Sequence, residues 1–471
     1  MPSRRACVLA ISCLAAFMAF LDATIVNVAF PSIQASFPHA ARADLSWVLN
    51  GYNIIFAALL VPAGQLTDRL GSRRVFSVGL VVFIGCSVLC AVAPSAPVLI
   101  ALRVAQAAGG AMLIPSTLAL LLAEFEPGER IRAIALLGAA AAVAAASGPS
   151  VGGLLVHLSS WRLVFLVNLP LGLALLALSR RLPRDQRDGV TARSPDWIAV
   201  ATLTAGVALL ALAVTQSSVW GAGDIHVIAA AVGSAVMLAA FALRARRRAQ
   251  DQVELALLRV RSVRIANVAI LVFAAAFYAK ILIDVLFLTS VWHYSVLTTG
   301  AAITPGPLIT ALLAAPAGRL ANRHGLGRIA AAGALVYAAG CAWYALRAGS
   351  HPAYLTHWLP GTLLTGAGIA LAFPTLTSAA VAGAQPGDYG AASAVNATAR
   401  QLGGVLGIAI AFAFLGSPVL AAARPQFDGA WLYCAVAASI AASAAFTLSF
   451  RPGRHAAGAS ERAKLEGIRT A

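Results

Sequence analysis

The stretch Gly64 to Phe76, GQLTDRLGSRRVF, sets seven polar or charged side chains and two glycines between two long apolar runs. A weaker copy, GRLANRHGLGRI from Gly318 to Ile329, stands 254 residues further on in the same setting. There Gly64, Leu66, Arg69, Gly71 and Arg74 are answered by Gly318, Leu320, Arg323, Gly325 and Arg328. The chain therefore reads as two related halves, each carrying one short charged hinge loop.

Outward from these loops the sequence is apolar. Its 471 residues are 60% hydrophobic and only 11% charged, with a mean hydropathy of +0.84, whereas a soluble domain carries about 25% charged residues. About 20 apolar residues in a helix cross some 30 Å of hydrocarbon. Backbone groups in lipid must be paired internally, so the spanning elements are helices and not open strands. The expectation is an all-α polytopic membrane protein with fourteen transmembrane helices: 7–30, 45–65, 75–93, 97–122, 133–156, 162–179, 197–215, 225–243, 265–290, 300–317, 328–346, 356–379, 390–415 and 430–450. The two hinge loops follow the second and tenth spans, so the repeat unit is six spans and 197–215 and 225–243 are left over as an insertion. The organisation expected is a first six-helix bundle at 1–180, a linker with two additional helices at 181–262, a second six-helix bundle at 263–450 and a polar tail at 451–471.

A formal charge of +17 in a soluble protein would suggest nucleic acid, but here the arginines sit in short loops between apolar runs. Of the 34 Lys and Arg, 27 lie on the side holding both termini, four lie on the other side, and three (Arg103, Lys280, Arg400) are inside spans. By the positive-inside rule both termini are cytoplasmic. Trp47, Trp161, Trp220, Trp292, Trp358 and Trp431 fall near the outer span ends, as an interfacial aromatic belt would have them. Ser3-Arg4-Arg5 and the apolar run after it resemble a signal peptide, but the run continues to Phe30 with no cleavage site, so it is taken as a retained first span. The six cysteines lie in or at the edges of apolar runs. Cys86 and Cys90 are one helical turn apart without a further ligand, so they read as packing residues and no metal site is expected.

Five charges fall inside spans, where a charge at mid-bilayer costs about 2.5 to 3.5 kcal/mol on insertion scales. They are Asp22, Arg103, Lys280, Asp284 and Arg400, and all should face protein or a water-lined interior. Asp22 is either a proton carrier or half of a static ion pair. Arg103 stays charged at any relevant pH, so it biases a neighbouring acid or posts an interhelical hydrogen bond; Gln106 and Gly110 share its face. Lys280 and Asp284, four apart on one helix, can pair directly. That pair either neutralises itself or supplies a second protonation site or counter-charge. Arg400, with Asn396 a turn before it, reads as an interior polar node. The fifth span, ALLGAAAAVAAASGPSVGGLL, lets a neighbour approach closely, and Pro149 among Gly148, Gly152 and Gly153 bends it. A bent, smooth helix between bundles suits a gate.

Taken together these stretches resemble the major facilitator superfamily, and within it the fourteen-span drug:proton antiporters. Gly64, Asp68, Arg69, Gly71, Arg73 and Arg74 fit the signature between spans two and three. LDATIVNVAFPSI (21–33) is similar to the first-span motif, and RVAQAAGGA (103–111) to the fourth-span motif with Ala107 in place of a usual glycine. Gly148-Pro149 with Gly152-Gly153 resembles the fifth-span antiporter motif, and WRLVFLVNLPLG (161–172) the start of the sixth span. Matches continue to ASAVNATARQLGG, so the resemblance covers nearly the whole chain.

It implies that Asp68 and its arginines latch the cytoplasmic side, that Asp22 and Arg103 belong to proton coupling, and that the Gly-Pro helix favours export. The second hinge departs from the pattern: Asn322 replaces the acid and Gly327 the first of the paired arginines, so its latch should be weaker. The expectation is a multi-pass proton antiporter in a bacterial cytoplasmic membrane, expelling hydrophobic or cationic small molecules, with no cofactor and no nucleic-acid partner, acting as a monomer. An exporter of a lipid, cell-wall precursor or secondary metabolite on the same fold is the alternative. A transport-dead sensor or a membrane enzyme is disfavoured: no folded domain stands at either end and no Ser/His/Asp, HExxH or paired-acid arrangement stands out. No phosphate-binding loop is present, so an ion gradient and not ATP must drive transport.

Overall fold

A chain with apolar runs of this length satisfies its backbone in lipid through helices, and the computed structural model has no strand among the described residues. The structure describes residues 4–40, 42–180, 182, 196–221, 223–248, 257–382, 384, 389–415 and 424–448. The first half comprises α1 (Arg4–Ser36), a single turn α2 (Arg42–Leu45), α3 (Trp47–Leu70), α4 (Ser72–Ala91), α5 (Ala96–Glu124), α6 (Pro127–Leu158), α7 (Arg162–Leu166) and α8 (Asn168–Ser179). The inserted pair is α9 (Trp197–Trp220) and α10 (Ile225–Arg248). The second half comprises α11 (Arg261–Ser290), α12 (Val296–Ile303), α13 (Pro305–His324), α14 (Leu326–Arg347), α15 (Leu359–Ala382), α16 (Tyr389–Leu415) and α17 (Arg424–Phe446).

Thirteen helical segments among the described residues are long and apolar enough to cross a membrane. The expected span 133–156 falls within α6, a 32-residue helix that is not one of the thirteen and has several side chains outside the described residues. The arginine-rich segments 180–196 and 244–264 lie partly outside the described residues, and the tail after Arg451 wholly so.

The short loop expected between the spans 45–65 and 75–93 is almost entirely helix, which corrects that expectation. α3 continues to Leu70 and α4 begins at Ser72, leaving Gly71 alone between them at φ 94°, ψ 143°. Its N–H donates to the Thr67 carbonyl at 3.0 Å and its carbonyl accepts from the Val75 N–H at 3.1 Å, so both helices keep end bonds across one residue. The second half repeats the joint: Gly325 stands at φ 95°, ψ 143°, donates to Ala321 and accepts from Ile329. That backbone region is open to glycine and strained for other residues by about 1–3 kcal/mol. Gly71→Ala and Gly325→Ala are therefore each expected to lower the thermal unfolding midpoint. Gly85→Ala, a helical site where a new Cβ meets nothing within 4 Å, should leave it unchanged or raise it.

Each half packs on itself. α1 lies along α6 and α5, and α4 along α5 and α8; α11 packs on α16, α17 and α15, and α14 on α15 and α17. The halves meet chiefly where α3 lies against α16 and α6 against α12, with further contacts of α6 to α13 and α15, of α1 to α11 and of α5 to α16. α9 lies on α3 and α16, with α10 packed on α9. The most apolar stretch of α11 is 83% buried, against 28% for α9 and 17% for α10. The inserted pair is thus a peripheral layer, with an apolar outer surface suited to lipid.

The tryptophans depart from the expected belt. Trp220 is exposed, but Trp161, Trp292, Trp358 and Trp431 are buried. The last three gather round Phe287, with Tyr344 and Phe427 at their edges. Rings of this size bury more apolar area inside a bundle than any aliphatic side chain, and among the described residues three of the four buried indole N–H groups find acceptors while that of Trp358 does not. Trp161 donates to Ser36 Oγ at 2.9 Å, and Trp292 to the Gly349 carbonyl at 2.8 Å.

Candidate functional site

The five charges expected inside spans are placed in three separate groups. Asp22, on α1, is wholly buried, and both its oxygens are held. Oδ2 accepts from Arg103 Nη1 at 2.5 Å; Oδ1 accepts from Gln106 Nε2 at 3.0 Å and Asn168 Nδ2 at 2.7 Å. Arg103 and Gln106 share one face of α5, three residues apart, while Asn168 opens α8. The guanidinium is occupied as well: Nε donates to the Val48 carbonyl at 3.3 Å, Nη1 donates also to Gln106 Oε1 at 2.8 Å, and the Tyr52 ring lies 4.0 Å below it. Ser87 extends the network, accepting from Asn168 and donating to the Phe165 carbonyl. The carboxylate on α1 is thus bonded from α5 and α8, and the network around it draws in α3, α4 and α7. In the dry interior a bare charge is costly, and this pair is satisfied on nearly every side.

The second group lies in α11. Lys280 Nζ donates to Asp284 Oδ2, as their spacing on one helix face allows. The other carboxylate oxygen accepts from Trp431 Nε1 at 3.0 Å, and the ammonium stands 5.0 Å from the Tyr344 ring centroid. A cavity of about 40 Å³ touches both side chains and has Pro149 of α6 in its wall. This buried pair therefore faces α6, of the other half, at Pro149. Truncating one partner of a buried pair leaves the other uncompensated, at about 3–5 kcal/mol. Lys280→Ala is expected to destabilise the protein by that amount in thermal unfolding. Lys280→Ala/Asp284→Ala should recover most of the loss, and a double variant no more stable than the single one would overturn this account.

Asn396 and Arg400 do not bond to each other. Asn396 Nδ2 donates to Asn267 Oδ1 at 3.3 Å within the second half. Arg400 reaches across the seam to the Phe20 ring at 4.1 Å, with its Nε buried and without a hydrogen-bond partner among the described residues. The node is thus two contacts, one inside a half and one between halves.

The glycines of α6 face two ways. A Cβ on Gly148 would lie 3.0 Å from the Ile25 amide nitrogen, and one on Gly152 would lie 2.9 Å from the Ile25 carbonyl, so both press on α1. Gly153 faces the other half, where a Cβ would lie 2.9 Å from Gly300 Cα and from the Val296 carbonyl of α12. Pro149 sits between, inside the helix. Near the same end of α1, Phe30 meets Phe412 of α16 at 5.5 Å.

At the opposite, arginine-rich end, Arg73 donates to the carbonyls of Leu182 at 3.1 Å and Arg180 at 3.4 Å, tying α4 to the end of α8. Arg69 and Arg74 are exposed, and Gly64 packs toward Pro115 of α5. The Asp68 side chain lies outside the described residues. Arg4 pairs with Glu124 and Arg5 with Glu126 and Glu129, fastening the start of α1 to the α5–α6 corner.

Sequence reasoning named Gln106 but missed Asn168, Ser87, Tyr52, Trp431 and Gly300. For Asn168 the signal was present, as an amide inside an otherwise apolar run. For Trp431, 147 residues from its acid, no local pattern points to the pairing.

Comparison with known proteins bears on what this arrangement serves. The family model described as Major Facilitator Superfamily matches residues 12–408. The chain is 32% identical over 420 residues to the "Multidrug resistance protein B homolog" of Mycobacterium tuberculosis, covering 87% of this chain and 77% of the relative. It is 34% identical over 413 residues to the "Cephamycin export protein CmcT" of Amycolatopsis lactamdurans, covering 87% and 85%. Among solved structures, an auto inhibited POT family peptide transporter superposes with a TM-score of 0.64 over 96% of this chain and 98% of that one, at 17% identity; this likeness concerns the fold alone. A multi-pass helical chain, matched over most of its length by the family model and by relatives named for multidrug resistance and cephamycin export, belongs to the major facilitator superfamily of membrane transporters.

Proposed function

We propose that the protein is a proton-coupled antiporter that exports hydrophobic or cationic small molecules across the bacterial cytoplasmic membrane by alternating access. The observation that carries this reading is Asp22: a wholly buried carboxylate held at once by Arg103, Gln106 and Asn168. A proton on Asp22 removes the charge that Arg103 faces, so the four side chains must regroup, and the helices that carry them shift with them. Lys280 and Asp284 provide a second group of the same kind beside Pro149, where α6 meets the other half. The inferred domain division, residues 1–180 and 263–450 with the linker 181–262 and the tail 451–471, lets the two bundles rock about that seam. Arg73, with Asp68, Arg69, Arg74 and the glycines Gly64 and Gly71, forms the latch at the arginine-rich end, which is the cytoplasmic one by its charge.

Each proton moved through a potential of about 100 mV supplies roughly 2.3 kcal/mol, enough for about a fifty-fold gradient of a neutral compound. The names of the relatives, a multidrug resistance protein and a cephamycin exporter, support substrates of drug or secondary-metabolite character. The test is substrate-stimulated proton release from proteoliposomes over a compound panel that includes both kinds. Export that continues undiminished after the proton gradient is collapsed overturns the coupling; proton release with metabolites alone narrows the role to an endogenous product.

A further inference from the structure

Beside the α3–α16 seam lies a cavity of about 410 Å³, walled on its outer side by the inserted pair α9 and α10. This volume is in the range of about 300–1,000 Å³ that holds small apolar ligands. Its body is apolar, with Ala58 of α3, Leu203 of α9, Phe241 of α10 and Leu402 of α16 in the wall. Val268 of α11 also lines it and is 51% exposed, so the mouth opens on the surface that faces lipid.

The polar groups of the cavity collect where the helices reach the arginine-rich end. Asp196 caps α9 and binds Arg244 Nε through both oxygens, at 3.0 and 2.8 Å. Arg264, in the first turn of α11, is exposed and makes no ion pair among the described residues. Among the described residues the lining holds two guanidinium groups and one carboxylate. Arg247, Arg259 and Arg261, on or beside the same ends of α10 and α11, are exposed too. An apolar slot opening sideways into hydrocarbon, with surplus arginine at its polar margin, matches one class of molecule in a bilayer.

We propose that this cavity is a binding site for an anionic phospholipid, one acyl chain lying between the inserted pair and the seam and the phosphate meeting Arg264. The site also touches the links around the seam. Thr398, in its wall, donates to the Ala57 carbonyl of the other half at 3.3 Å, and Asn267 receives the hydrogen bond from Asn396. A bound lipid would thus fasten the inserted pair to the place where the halves meet, which gives those two helices a task distinct from spanning.

The test is native mass spectrometry of the full-length protein after titration with phosphatidylglycerol or phosphatidylcholine. Wild-type protein is expected to retain one phosphatidylglycerol with at least a fivefold preference over phosphatidylcholine. Arg264→Gln should lower that preference about fivefold, as loss of one basic group at a lipid surface does. Val268→Trp, at the exposed mouth where bulk does not disturb the core, should cut retention at least tenfold, and Leu203→Trp should do so from within. Equal retention of the two lipids, or unchanged retention in both tryptophan variants, overturns the proposal. So does a transported compound, with no lipid, held in the cavity and lost in Val268→Trp, since the cavity would then be a substrate site.

Discussion

Asp22→Asn is expected to abolish proton-linked efflux and to weaken the fold by about 3–5 kcal/mol, the usual cost of leaving one member of a buried ion pair alone. The amide matches the carboxylate in size but carries no charge, so the Arg103 guanidinium is left with neutral partners: the Val48 carbonyl, the Gln106 oxygen and the Tyr52 ring. Stability and transport can be separated by removing both charges. Asp22→Asn/Arg103→Gln should recover most of the lost stability, because no uncompensated charge remains, and should still fail to couple efflux to protons. Thermal unfolding of purified protein and dye efflux from proteoliposomes read the two effects. Proton-coupled efflux at the wild-type rate in the double variant would falsify the assignment of Asp22 as proton carrier and leave the pair a structural post.

The other large effect is expected at Gly153. A leucine there would set its Cβ 2.9 Å from Gly300 Cα and the Val296 carbonyl. These are backbone atoms of the opposite half, and no rotamer change relieves the clash. The substitution must push α6 and α12 apart while leaving the packing of α6 on α1 intact, since Gly148 and Gly152 make that contact. Gly153→Leu should therefore fold and yet lose at least tenfold in efflux, through a conformation in which this seam cannot close. Gly138→Ala, where a new Cβ meets nothing within 4 Å, should transport normally. Wild-type efflux by Gly153→Leu would mean that close approach at this seam is no part of the cycle. Gly148→Ala offers the contrast: its clash with α1 lies within one half, so it should cost stability first.

The helices were legible because in hydrocarbon each one satisfies its own backbone, a local condition that a run of some 20 apolar residues states in full. The repeat was legible because Gly71 and Gly325 need the same rare backbone geometry and stand in matching surroundings. Asp22, Arg103, Lys280 and Asp284 were conspicuous because charge inside a span is costly. Their partners were less so: Lys280 and Asp284 pair through helix periodicity, whereas Asp22 finds Asn168 across 146 residues, a contact set by how α1, α5 and α8 pack. The tryptophans were misjudged for a related reason. Position near a span end is consistent with a lipid interface or with a buried aromatic cluster, and the choice depends on what the neighbouring helices offer. The hinge was misjudged because polar residues at the end of a helix that projects beyond the apolar layer have the same composition as a loop.

The two buried acids also differ in their history within a single synthesis. Lys280 and Asp284 enter the bilayer on the same helix with their charges already offset. Asp22 enters on α1, long before Arg103 emerges 81 residues later. The nascent first helix must therefore be accepted with its acid unmatched, against a penalty of about 2.5 to 3.5 kcal/mol on insertion scales. Its 33 residues and hydropathy of 2.2 supply the margin that lets it wait in the membrane for its partner.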